Sequence, residues 1–149
     1  MKKFMLVITL LFTVYILVGQ SPVGRWKIIS RSIENADGTK KDMTGAMKLA
    51  VPCMADIKYI FSADGKMSAD ANGCPAALKK TVEETNSLTR WMISGSSLTV
   101  ADTKNTMPPS TYKITFSGKT MIWKLLYKDN PKINNDTNAK SLTIVYEKL

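Results

Sequence analysis

Alternation is the feature that most limits how this chain can fold. From residue 24 onward, apolar and polar residues exchange places step by step in one short run after another, and helical spacing is scarce. Trp26 and Ile28 share a face of a run over 24–33. Ile57, Tyr59 and Phe61 share one over 57–61, and Trp91 and Ile93 one over 89–93. Tyr112, Ile114 and Phe116 alternate within 112–116. Over 121–128, Met121, Trp123, Leu125 and Tyr127 alternate with Ile122, Lys124, Leu126 and Lys128. Runs at 66–71, 98–100 and 142–146 bring the expected strands to eight.

Turn residues punctuate these runs. Asp37-Gly38 ends the first, and Gly95-Ser96 and Ser117-Gly118-Lys119 separate later pairs. Asp64-Gly65 between two strand-like runs is the strongest short hairpin signal. Residues 40–55 form a mixed connection with a candidate helical turn at 43–49. Residues 75–85 are polar and fit either a short helix or a wide loop. Prolines at 108 and 109 mark a loop, and 129–140 is polar with four asparagines. Eight strands on short antiparallel connections would expose two edges if left open, so closure is the economical solution. The expected fold is all-β, an eight-stranded antiparallel up-and-down barrel. Such a barrel is filled by side chains or holds one small ligand.

The first 19 residues are not expected in the barrel. Lys2 and Lys3 precede fifteen residues, 4–18, broken only by Thr9 and Thr13. That is short for a bilayer-spanning helix, which needs about 20 residues. It suits a signal peptide, with cleavage after Gly19 or Gln20 and the domain over 20–149. No cysteine lies near the cleavage region, so a lipid-modified N-terminus is not expected, nor a membrane span in the mature chain. Loss of the leader takes Lys2 and Lys3 away and lowers the net charge from +9 to +7. The expected location is therefore outside the cytoplasm: periplasm, cell envelope or extracellular. There Cys53 and Cys74 are expected to form a disulfide, the alternative being two free reactive thiols.

Many chemistries are absent from the outset. The chain has no histidine, which removes Ser-His-Asp triads, Cys-His dyads and His-ligated zinc or haem. Two cysteines cannot complete a four-thiolate site. Met43, Met47 and Met54 cluster near Cys53 and would suit copper(I), but packing of the connection over the barrel mouth is the better account. Glu83-Glu84 lies in a polar stretch, and the aspartates sit mostly in turns, where they serve the backbone. No enzymatic activity, cofactor or metal is expected. Asn135-Asp136-Thr137 matches a glycosylation sequon, a weak signal.

Gly24-Arg25-Trp26 resembles the Gly-x-Trp opening of lipocalins. The wider pattern is similar to the bacterial lipocalin-like domain family. It comprises Cys53, Asp56, Phe61 with Asp64-Gly65, Cys74, the Trp91 strand, and Leu98 with Val100. The resemblance covers about residues 23–148. It implies a lipocalin-like barrel in which Trp26 plugs the floor, and a small hydrophobic ligand. Lipocalins usually place an arginine over that tryptophan; here only Lys148 is near the position.

The candidate ligand-binding residues are the inward-facing ones: Trp26, Tyr59, Phe61, Trp91, Ile93, Tyr112, Trp123, Leu125 and Tyr146. The plainer account is that nine mature aromatics fill a small core. The lysines, among them Lys40-Lys41, Lys79-Lys80, Lys124 and Lys128, are scattered and read as a solubilising surface, so no nucleic-acid partner is expected. The expected function is binding a small hydrophobic molecule inside the barrel. The alternative is a packed barrel that contacts or inhibits another protein.

Overall fold

The computed structural model describes residues 20–135 and 138–149. The expected signal peptide, and two of the three sequon residues, lie outside the described residues. β1 (Gly24–Asn35) is followed by the short β2 (Lys40–Asp42), α1 (Thr44–Ala50) and a 3-10 turn (Pro52–Ala55). β3 (Lys58–Phe61), β4 (Met67–Asp70) and α2 (Ala76–Ser87) come next. β5 (Thr89–Ser94), β6 (Ser97–Asp102), β7 (Ser110–Ser117), β8 (Thr120–Leu126) and β9 (Ala139–Lys148) complete the sheet.

Strand order around the sheet is β4-β3-β1-β9-β8-β7-β6-β5, every pairing antiparallel. Because β9 returns to β1, this is an up-and-down barrel of eight strands, with β2 added on the upper edge of β1. All eight expected strands are present. β2 was missed because Lys40-Lys41-Asp42 is wholly exposed and has no apolar alternation. It forms because the Asp37 carboxylate accepts hydrogen bonds from the Thr39 N–H at 2.9 Å and the Thr39 hydroxyl at 2.7 Å, tightening the turn. The eighth strand is shorter than expected. It stops at Leu126, where Asn130 accepts from the Thr111 N–H at 2.8 Å and donates to the Leu126 and Thr111 carbonyls, ending the ladder.

The polar stretch at 75–85 resolves as helix α2. Lys79–Glu83 and Lys80–Glu84 pair along it at 3.9 Å, and the Glu83 carboxylate accepts the Ala71 N–H at 3.2 Å. α2 packs on β4 and fills the gap where β4 and β5 diverge. The barrel closes only at the opposite end of β4. Lys66 bridges Arg90. The Trp91 N–H donates to the Gly65 carbonyl at 2.8 Å, and the Trp91 indole N–H to the Lys66 carbonyl at 3.2 Å. Gly65 has φ +79°, and a Cβ there would lie 2.9 Å from the Trp91 carbonyl oxygen. The Asp-Gly turn is thus a hairpin and a seam at once.

Cys53 and Cys74 form a disulfide with sequence separation 21. It fastens the 3-10 turn to the end of β4. Its loop length predicts a loss of roughly 3 kcal/mol on removal. Urea unfolding of a Cys53→Ser/Cys74→Ser variant measures this. Gly65→Ala is expected to cost about 2 kcal/mol through backbone strain and the lost seam contact, seen as a lower urea midpoint.

Candidate functional site

The nine expected binding residues all take inward register positions. Trp26 faces Tyr59 across β1 and β3, and Phe61 faces Met67 across β3 and β4. Trp91 and Ile93 face Val100 and Leu98 across β5 and β6, and Tyr112 faces Leu98 on one side and Leu125 on the other. Met121, Trp123 and Leu125 pair with Tyr146, Ile144 and Leu142.

Most of these side chains meet one another rather than a space. Trp26, Phe61, Met67, Leu98, Ile114, Met121, Trp123, Ile144 and Tyr146 form one buried cluster. Phe61 lies 5.5 Å from Trp123 in an edge contact, Trp123 lies 4.8 Å from Tyr146, and Tyr112 lies 5.1 Å from Trp123. Trp26 sits on the floor and donates its indole N–H to the Pro22 carbonyl at 2.7 Å. The Lys148 ammonium lies 5.5 Å above the Trp26 ring, so a lysine occupies the place where lipocalins usually carry arginine.

Free space opens higher up, under the cap formed by α1 and the 3-10 turn. There Ile28, Tyr59, Met47, Met54 and Ala55 enclose an apolar cavity of about 30 Å3, room for about one water molecule. Met47 and Met54 therefore cover the barrel mouth. The cap is lightly held, since α1 has no buried residue and its Leu49 is 86 % exposed. Its anchor is Thr44, whose hydroxyl accepts the Arg31 N–H at 2.9 Å and whose N–H donates to Asp42 at 2.8 Å. A larger groove of about 650 Å3 lies outside the barrel beside Leu126, Tyr127 and Lys140. It is an open surface with no buried polar group aimed into it.

One residue of the cavity wall does not fit simple alternation. Arg31 lines the cavity with Ile28 and Tyr59. A register shift between Ile28 and Ser30 leaves Ile29 without a β9 partner and 39 % exposed. Past this bulge the inward parity changes from Trp26 and Ile28 to Arg31 and Ile33, which face Ile144 and Leu142. The adjacent isoleucines, with Ile33 on the opposite parity to Ile28, were the only signal of this in the sequence.

The Arg31 charge reaches three tyrosines inside the barrel. Burial raises the Tyr146 hydroxyl well above the usual phenol range, nearby Tyr59 and Tyr112 add to this, and Arg31 opposes it. Burial also raises Tyr59 and Tyr112, again against Arg31, with Ser110 opposing at Tyr112 as well. Among the described residues no group of three His, Cys, Asp or Glu side chains gathers to hold a metal, and no helix is long and apolar enough to cross a membrane. Comparison with known proteins finds no matching family model, no matching curated protein and no matching solved structure.

These tyrosines predict a pH dependence. Their folded-state pKa values lie above the unfolded value of about 10, so their contribution is fully present below that pH and is lost as pH rises above it. Urea midpoints are expected to hold steady up to about pH 9 and to fall between about pH 10 and 11. Tyr146→Phe should flatten that fall.

Proposed function

We propose that this chain is an exported, lipocalin-like binding protein without enzymatic activity, which takes a small hydrophobic molecule at the capped barrel mouth. The carrying observation is the apolar cavity between Ile28, Tyr59, Met47, Met54 and Ala55 beneath a cap with no buried helical residue. A lightly packed cover over apolar walls opens at low cost, so the small closed volume does not set the size of the ligand. Tethering at Cys53 lets the cap lift without leaving the barrel. Export is supported by the leader-like residues 1–19 and by the disulfide, which belongs in an oxidising compartment.

A second reading has its own support. Residues 92–94 of β5 extend beyond the seam without a β4 partner, and Met92 is 66 % exposed. Such an edge suits a protein partner that adds a strand. The exposed large hydrophobic residues form no aromatic patch, which favours the ligand reading.

Native mass spectrometry of protein purified from its own host tests the proposal. The expected result is a species heavier than the mature chain by the mass of one small molecule. Titration with fatty acids, retinoids and tetrapyrroles should change tryptophan emission saturably in at least one class. No co-purifying mass and no emission response would sink ligand binding and leave the strand-edge reading.

A further inference from the structure

Arg31 carries a charge into the barrel with no carboxylate to meet it. Among the described residues, no ion pair includes Arg31. Its Nε is buried without a hydrogen-bond partner, and one terminal nitrogen donates only to the Met47 thioether, at 3.9 Å. A thioether is a weak acceptor on a flexible chain and exchanges readily for a better one. A buried cation left in this state is costly, and a fold gains by replacing it with an apolar side chain unless the charge serves another end.

A second orphaned donor lies on the same rung of the sheet. Trp123 pairs with Ile144, and Ile144 pairs with Arg31. The Trp123 indole N–H is buried without a partner. The remaining orphan, the Ser141 hydroxyl, belongs to the outward parity of β9 and is not part of this group. Lys48 on the cap lines the same cavity and adds a second positive charge. Donors and cations at the inner end, with Ile28, Met47, Met54 and Ala55 around the mouth, form a complementary pattern for an amphiphile. Two orphaned N–H groups call for two acceptor atoms, and a guanidinium matches a planar two-oxygen anion.

We propose that Arg31 and Trp123 form the head-group seat of the mouth site, and that the ligand is an apolar monocarboxylate. Its carboxylate displaces the Met47 thioether from Arg31 and accepts the Trp123 N–H, while its apolar body lies under the cap. This inference rests on the mouth being a ligand site.

The test uses the mature, disulfide-bonded chain and three probes: dodecanoate, 1-dodecanol and acetate. Calorimetry and tryptophan emission should show dodecanoate binding at least about tenfold more tightly than dodecanol. Acetate should bind far more weakly than either. Arg31→Gln should abolish the preference for the acid while leaving dodecanol affinity unchanged, and Arg31→Met serves if the glutamine variant misfolds. Trp123→Phe keeps the ring and should weaken dodecanoate by about threefold or more. Equal affinity for acid and alcohol in the unmodified protein would overturn the head-group seat and leave the mouth site standing. Acetate binding as tightly as dodecanoate would reduce the site to a small-anion site and overturn the amphiphile. No binding of any probe would remove the mouth site itself, and this inference with it.

Discussion

Two sheet edges must meet for this barrel to exist, and they meet at one place. Gly65 and Lys66 accept hydrogen bonds from the backbone and indole of Trp91, and little else joins β4 to β5. The seam is short because antiparallel continuation from Lys66 and Arg90 runs directly into helix α2. α2 therefore serves as a cover where a longer ladder would have been. Everything inside the barrel depends on that closure to stay away from water. The Phe61–Trp91 edge contact at 6.3 Å carries the seam into the core, so closure and packing support each other.

Given closure, the interior divides into two zones with different physics. The lower zone is a ring-on-ring core from Trp26 through Phe61, Trp123 and Tyr146, where dispersion and burial stabilise the fold. The upper zone is the mouth, where half-buried Tyr59 and the methionines of the cap replace packed aromatic faces. The expectation of a ligand among the deep aromatics assigned a binding role to residues whose neighbours already fill the space. Nine aromatics in a barrel of four- to twelve-residue strands leave little volume at the floor.

One extra residue in β1 gives the mouth its chemistry. Without the bulge at Ile29, strict alternation would turn Arg31 toward solvent and Ser30 inward, and the cavity would be apolar throughout. With it, a guanidinium enters the barrel beside three phenols and an indole N–H. The upper part of β1 also exchanges partners, leaving β3 for β2, which brings Thr44 and the cap directly over Arg31. The bulge, the switch of partner and the cap thus act on the same few residues.

Sequence by itself determined the strand count, the closed all-β architecture and the inward set from Trp26 to Tyr146. Period-2 patterning and turn chemistry are local properties that survive without knowledge of neighbours. It also marked the cysteine pair and the methionines of the cap. It left α2 open, because a polar helix lacking a buried face carries no periodic signal and owes its place to β4. It missed β2, whose residues are all exposed and charged. Above all it missed Arg31. A bulge is a mismatch between two strands, and β1 shows it only against the register of β9, more than a hundred residues away. Tertiary structure alone decided which side of the sheet that charge would face, because side-chain direction along a strand is settled by pairing and not by the strand's own residues.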